Sequence, residues 1–297
     1  MQRPGIDYSE SFSPVAMAIT VRVGVDLVLY FDDDGWVAEL VDVEAEFLEE
    51  RLKKRVFINL PKGIVELGFM DQETYENSCA ELTGGMYGCV DAALLYFIRF
   101  AEYATDPDGL DLVQSKVDPC VFFKRGEGER PVCIVICYVD DCLILGKPAD
   151  VKKIKDLLKK EFGTVEDGQL RKLLGIRYKW MRTIEGRPYV VMSMDDKGAN
   201  IVRAYEKYTG KTPKVYSSPG EPGKVLSKNE GEIIMMTEYR SLCGLTMFYS
   251  CKIAPECMYS TGQLARHMTN PGEEHWIAMG RFVGYVYGTY TGKKIIN

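Results

Sequence analysis

Ile136-Cys137-Tyr138-Val139-Asp140-Asp141-Cys142-Leu143-Ile144-Leu145 (ICYVDDCLIL, residues 136–145) sets two adjacent carboxylates between apolar flanks. The longer run Val132–Leu145 supplies strand-forming residues and is broken in its middle by Asp140-Asp141, which predicts a hairpin with both acids at its tip. Adjacent carboxylates repel each other and gain nothing from a core. They make sense where divalent cations neutralise them, because Mg²⁺ takes one or two carboxylates together with phosphate oxygens and water. On spacing alone, the pair equally suits a solvated hairpin turn. A third acid, Asp42, closes the run WVAELVD (residues 36–42), which follows the turn Asp32-Asp33-Asp34-Gly35 and reads as part of a strand, Trp36–Val43. If that strand neighbours the hairpin, three acids converge and could hold two ions about 3.5–4 Å apart.

Outward from this centre, Val56–Leu60, closed by Pro61-Lys62-Gly63, reads as a strand, and Ala92–Tyr103, apolar nearly all round, as a buried helix. Val117–Phe123 reads as a strand. Ala149–Phe162 reads as an amphipathic helix, with Val151, Ile154, Leu157, Leu158 and Phe162 on one face and lysines on the other. Lys172–Trp180 and Tyr189–Met194 read as strands around the turn at Glu185-Gly186. Pro213–Glu232 is rich in Pro, Gly, Ser and Lys and is the clearest linker. Beyond it, Thr237–Ser250, Cys257–Met268 and Glu273–Val286 read as helices. Residues 18–30 fit two periods: Ile19, Val21, Val23, Val25, Leu27 and Leu29 alternate like a strand, while Ala18, Val21, Val25 and Val28 form a helical stripe.

The 297 residues suggest two structural units at about 150 residues per domain. With 46% hydrophobic and 27% charged residues the composition is that of a globular protein, which argues against a disordered or fibrous chain. No apolar run approaches the ~20 residues of a membrane span, and Met1-Gln2-Arg3-Pro4 does not begin a signal peptide. Nine cysteines without a CxxC pair and only two histidines, His267 and His275, argue against a disulfide framework or a structural zinc site. A soluble intracellular protein is expected. The net charge of −6 hides a gradient: residues 1–50 carry two basic and twelve acidic side chains, whereas residues 147–187 carry twelve basic and six acidic ones. That division suits a protein handling metal ions and phosphates, although a solvated basic helix would also produce it.

Seven blocks of the chain resemble the reverse transcriptase of copia-type LTR retrotransposons. They are GIDYSESFSPVAMAITVR (5–22), DVEAEFLEERLKKRVFINLPKG (42–63), MYGCVDAALLYF (86–97), SKVDPCVFFKR (115–125), CYVDDCLILGK (137–147), RKLLGIRYKW (171–180) and the stretch EYRSLCGL…VYGT (238–289). The YVDD segment and the order and spacing of the blocks carry the resemblance. It implies an α+β, right-hand polymerase fold: partial fingers and palm over 1–212 with an antiparallel palm sheet, a linker at 213–232, and a helical thumb with the start of the connection over 233–297. It also implies that residues 18–30 are helical.

Carried over position by position, the resemblance makes Asp42, Asp140 and Asp141 the catalytic, metal-binding triad for two Mg²⁺ ions, with Mn²⁺ as a possible substitute. Phe47 would exclude the sugar 2′-hydroxyl, and Val43, Asp91 and Tyr138 would line the nucleotide site, Tyr138 beside the primer terminus. Leu174 and Gly175 would lie on the strand that grips the primer end, and Gly244 and Phe248 on the thumb helix that follows the template–primer minor groove. The implied partners are an RNA or DNA template–primer, dNTPs, and the integrase and RNase H of a pol polyprotein, with no membrane. The implied location is a cytoplasmic particle whose product is destined for the nucleus.

Several positions depart from the family pattern. The basic residues that hold the triphosphate would precede Met1, and the matching blocks end at Gly288-Thr289, before any RNase H domain. Glu46 stands where a small alanine precedes the aromatic gate, and Asp91 replaces a glutamine. A carboxylate about 4 Å from a phosphate costs about 4 kcal/mol at an effective dielectric of ~20. Two readings follow: an RNA-directed DNA polymerase, or a catalytically inactive, N-terminally truncated remnant retaining at most nucleic-acid binding. A nuclease using the same three acids finds no other support in the chain.

Overall fold

Residues 18–30, whose valines fit either period, form a helix. This element, α1 (Ala18–Tyr30), buries Val21, Gly24, Val25 and Val28 along one stripe and leaves Ile19 and Val23 exposed. The computed structural model describes residues 11–43, 55–82, 89–90, 92–126, 128, 130–163, 166–289 and 294–296, with backbone alone at 166–167 and 294–296. Tertiary contacts resolve the ambiguity of period. The buried Asp118 carboxylate reaches the start of α1, where its Oδ2 accepts from the Met17 amide at 3.0 Å and the Thr20 hydroxyl at 2.7 Å. Its Oδ1 accepts from the Cys120 amide at 3.0 Å. Asp118 thus supplies the cap that Met17 lacks. A Cβ at Gly24 would stand 2.6 Å from Leu145 Cδ1 and 3.1 Å from Ile136 Cδ1, so glycine lets the helix lie this close to the strands beneath.

The chain divides into two compact units, Met1–Leu170 and Arg171–Asn297. In the first, α1 is followed by β1 (Val37–Asp42), β2 (Val56–Ile58), α2 (Gln72–Glu76), β3 (Ala80–Leu82) and α3 (Ala92–Thr105). Then come β4 (Val113–Gln114), β5 (Val121–Arg125), β6 (Pro131–Tyr138), β7 (Asp141–Gly146), α4 (Pro148–Phe162) and β8 (Glu166–Gln169). Six strands form one sheet in the order β4-β5-β6-β7-β1-β8, with every neighbouring pair antiparallel. The central strands β6 and β7 are buried on both faces, which explains why they are apolar without alternation. One face carries α1. The other carries α3 and α4, whose Tyr96, Phe100, Val151, Leu158 and Phe162 join Val135, Cys137 and Ile144 in the main core. The Cys133 thiol, surrounded by this core, is pushed up to about 12 by burial, in keeping with a small apolar packing group.

The second unit holds β9 (Lys172–Leu173), β10 (Ile176–Arg182), β11 (Pro188–Ser193), α5 (Asp195–Thr209), α6 (Met236–Lys252), α7 (Met258–Ala265), α8 (Glu273–Thr289) and β12 (Lys294–Ile296). Its strands form an antiparallel sheet in the order β12-β11-β10-β9. Helix α5 packs on α6 and α8. Residues 213–232, read as a linker, have no helix or strand, but they are stitched to α8 within this unit. His275 Nδ1 accepts from the Gly272 amide at 2.9 Å, so Nε2 is the protonated nitrogen and donates to the Ser227 carbonyl at 2.8 Å. Lys224 pairs with Glu274 at 3.2 Å and Arg281 Nη2 donates to Ser218 Oγ at 3.0 Å, while just beyond the segment the Trp276 indole donates to the Ile234 carbonyl at 2.9 Å.

Three local expectations change. The strand at 117–123 begins only at Val121, because Ser115–Asp118 form the turn that aims the Asp118 carboxylate. The run 172–180 is two strands rather than one, broken at Leu174-Gly175. Helix α5 has no counterpart in the sequence reading. No helix among the described residues is long and apolar enough to cross a membrane.

Because Asp118 links segments about a hundred residues apart, Asp118→Ala is expected to lower stability in urea denaturation by about 2–4 kcal/mol. Asp118→Asn, which keeps one acceptor oxygen, should lose less. A loss below about 0.5 kcal/mol in the alanine variant would show that α1 does not depend on this cap.

Candidate active site

The β6–β7 hairpin closes with Tyr138 opposite Asp141, so its loop is Val139-Asp140. Val139 has a φ of +53°, a conformation that β-branched residues rarely adopt. Positive φ at the first loop residue alone is the type II′ pattern, in which glycine is usual. Holding a valine there costs on the order of 1–3 kcal/mol, which the surroundings must offset. They do so by packing Val139 against the main core and by fastening the tip. The Asp140 carbonyl accepts from the Val43 amide at 3.0 Å, and the Val139 carbonyl from the Cys137 thiol at 3.5 Å.

Strand β1 runs antiparallel to β7 with Asp42 directly opposite Asp141. The three acids therefore meet at one end of the sheet, as the sequence suggested they would if the strands were neighbours. Their charges are in conflict. Burial, then the Asp42 charge, raises the Asp140 carboxyl above the usual aspartate range. Burial, then Asp42 and Asp140, raises Asp141 likewise. Asp140 Oδ1 is buried with no hydrogen-bond partner. Among the described residues no three His, Cys, Asp or Glu side chains are gathered so that they could hold a metal ion as they stand. The donor chemistry nevertheless fits a divalent cation: hard carboxylate oxygens, one of them orphaned, whose mutual repulsion an ion would relieve.

Tyr138 is half-buried beside Asp141. Val43 is buried in the core, so what it offers the site is its backbone amide, not its side chain. Phe47, Asp91 and Glu46 lie outside the described residues. Leu174 and Gly175 belong to the second unit and form a two-residue turn with φ values of +53° and +80°. Gly175 is thus required by its backbone conformation. A Cβ there would meet only Met194 Cε, at an ordinary 3.5 Å, so packing within this unit does not itself require the glycine. Gly244 and Phe248 lie one turn apart on the exposed face of α6, with Lys197 Nζ 5.7 Å from the Phe248 ring. On α4 the lysine face is mostly exposed, but Lys155 is committed to Glu39 of β1 at 2.5 Å. The residue that sequence reasoning missed is Asp118; its signal is an acid before proline in a turn, Ser115-Lys116-Val117-Asp118-Pro119, paired with a helix start that has no capping side chain.

An antiparallel sheet flanked by helices, with three aspartates at the end of its central strands, is consistent with a polymerase fold. Residues 1–205 match the family described as Reverse transcriptase (RNA-dependent DNA polymerase). The chain belongs to that family, in its copia-type retrotransposon branch. It is 28% identical over 296 residues to the Retrovirus-related Pol polyprotein from transposon TNT 1-94 of Nicotiana tabacum, a match covering 97% of this chain and 21% of that protein. It is also 28% identical over 294 residues to the Retrovirus-related Pol polyprotein from transposon RE1 of Arabidopsis thaliana, covering 97% of this chain and 18% of that protein. The chain therefore spans about a fifth of the length of the curated relatives it matches. No solved structure matches it significantly.

The raised carboxyls have a consequence for stability. A group whose carboxyl is raised by folding contributes stability below the unfolded-state range and loses it as pH climbs through the folded value. At pH 7 without divalent cations, Asp140 and Asp141 therefore oppose folding. Asp141→Asn should melt higher than wild type at pH 7, by the order of a few degrees, and the gap should close in acid. A variant that melts lower at pH 7 would show that the acids are not in conflict.

Proposed function

We propose that this chain is the RNA-directed DNA polymerase portion of a retrotransposon Pol polyprotein, transferring nucleotides from dNTPs to a primer 3′-hydroxyl on an RNA or DNA template. The observation that supports this reading best is the register of Asp42 against Asp141 beneath a strained turn that carries the orphaned Asp140 oxygen. Asp42, Asp140 and Asp141 would hold two Mg²⁺ ions, or Mn²⁺ in their place. When bound, such ions supply charge neutralisation and a more acidic attacking hydroxyl. The protein's own share is to hold the repelling carboxylates aimed at one point, where a bound cation favours their ionised form. The two-strand register orients Asp42 and Asp141, while the Val43 amide holds the Asp140 backbone. The apolar strands behind them exclude water, which strengthens each charge interaction at the sheet end.

In the same reading Tyr138 borders the primer terminus, Phe47 selects against a 2′-hydroxyl, and Asp91 faces the nucleotide. Leu174 and Gly175 support the primer, while Gly244 and Phe248 follow the minor groove of the template–primer. The remaining polyprotein activities, integrase and RNase H, are its partners, in a cytoplasmic particle whose DNA product enters the nucleus. Glu46 and Asp91 favour a second reading, a catalytically silent relative that retains at most nucleic-acid binding.

Primer extension on an RNA template decides between them. The first reading expects Mg²⁺-dependent extension that falls by at least about 10²-fold in Asp140→Asn, the scale of losing a group that stabilises transition-state charge. No extension from demonstrably folded protein selects the silent relative.

A further inference from the structure

The chain's two histidines, His267 and His275, lie face to face. Their ring centroids are 3.9 Å apart, with 28° between the planes. His267 follows the end of α7, and His275 stands in the first turn of α8. Both rings serve consecutive residues of the irregular segment 213–232. His275 donates Nε2 to the Ser227 carbonyl at 2.8 Å, and the Leu226 backbone hydrogen-bonds the His267 ring. Close by, Asn270 of the α7–α8 turn donates to the Asn229 carbonyl at 2.8 Å. The stack thus pins the segment where α7 gives way to α8.

Neither ring is set up to take a second proton. An imidazolium carries an N–H on both nitrogens. His275 is buried, and its Nδ1 accepts from the Gly272 amide at 2.9 Å, so a proton there would set two donors against each other. His267 Nε2 is buried and has no hydrogen-bond partner among the described residues. Its cation would therefore bury an N–H with no acceptor, which the neutral ring avoids by keeping its proton on Nδ1. The fixed charges nearby do not compensate. Arg266 disfavours a His267 cation and Glu274 favours it, but Glu274 is paired with Lys224 of the segment at 3.2 Å. Arg240 of α6 brings a further positive charge to this turn, where its Nε donates to the Met268 carbonyl at 2.9 Å. Burial, then the neighbouring His275, holds His267 below the ordinary histidine range.

We infer that the stacked histidines form an acid-sensitive latch, which keeps segment 213–232 on the α7–α8 turn while both rings are neutral and releases it when either takes a proton. The sign follows from the surroundings of His267. Its contribution to stability is present above the unfolded value of about 6.5 and is lost as pH falls through the lower folded value. Glu274, held below the usual carboxylate range by its hydrogen bond with Lys224, stays ionised through that window. The segment also has a reason to leave once freed. It enters α6 through Met235 at a φ of +45°, a conformation maintained by the Ile234 amide donating to the Pro271 carbonyl at 2.8 Å and by the Trp276 indole. The latch lies wholly in the second unit and does not rest on the polymerase reading.

The test is hydrogen exchange of the full chain, read by mass spectrometry from about pH 7.5 to about pH 5 and corrected for intrinsic exchange. Peptides covering 224–232 should lose protection by at least about tenfold, the effect of one pKa unit, while those of β6 and β7 lose none. The midpoint should coincide with the titration of an imidazole resonance in the NMR spectrum of the same protein, to which only two histidines contribute. The double variant His267→Phe/His275→Gln keeps a stacked ring and an amide able to serve both Gly272 and Ser227, with nothing to titrate. Its protection should change by less than about twofold over the same range. Three results overturn the latch: constant protection in wild type, an equal loss in the double variant, or a loss at a pH where neither imidazole titrates. The last is read on wild type alone, so the test stands even if the double variant does not fold.

Discussion

The cross-strand pairing of Asp42 with Asp141, under a turn that presents Asp140, sets like charges together, and among the described residues no Lys or Arg forms an ion pair with them. Maintaining that conflict requires rigidity on every side. Helix α1 clamps one face of β6 and β7 through a glycine contact, and α3 and α4 clamp the other through an aromatic and aliphatic core. Val139 remains at positive φ because its side chain is packed and its carbonyl held. A less constrained hairpin would relax the turn and let the carboxylates drift into solvent. Repelling, partly buried acids on a stiff frame are the signature of a site that surrenders stability to bind charge.

The second unit is organised differently. Its helices are held together by long-range polar stitches as much as by apolar packing. The buried Tyr239 hydroxyl donates to the Leu264 carbonyl at 3.0 Å, Ser250 and Thr261 share a hydrogen bond at 2.7 Å, and His275 bridges Gly272 and Ser227. The bond from His275 to Ser227, with the Lys224–Glu274 pair and the Arg281–Ser218 hydrogen bond, holds the irregular segment of twenty residues on α8. The His275-Trp276 pair is placed accordingly: each ring reaches back to the carbonyls of the segment that precedes α6.

Much of the first unit was legible in the sequence because its central elements are continuous apolar runs with clear breaks. β1, β6, β7, α3 and α4 lie close to where periodicity and turn residues put them; whether Asp42 stands beside the hairpin was left open by the residues alone, and the family resemblance placed it there. The rest was hidden for physical reasons. In α1, valines satisfy both periods, so the helix came from the family resemblance and not from the pattern, and the contact at its start comes from Asp118, about a hundred residues away. The β9–β10 turn is hidden because Leu174, an apolar residue inside an apolar run, adopts the left-handed conformation beside Gly175. Helix α5 begins after Met194 with no capping side chain, and its first turns carry Asp195, Asp196, Lys197 and Gly198, which reads as loop chemistry. The polarity of 213–232 indicated irregular backbone; its attachment depends on partners in α8 that no local pattern reveals.

The central claim is that Asp42, Asp140 and Asp141 form one electrostatic unit relieved by divalent cations. It is tested most directly by thermal melts of wild type and of the Asp140→Asn/Asp141→Asn double variant across a Mn²⁺ titration at pH 7. Wild type should gain stability saturably with Mn²⁺, by the linkage of binding to folding, while the double variant stays nearly flat. Equal stabilisation of both proteins, or none of wild type, would contradict the account.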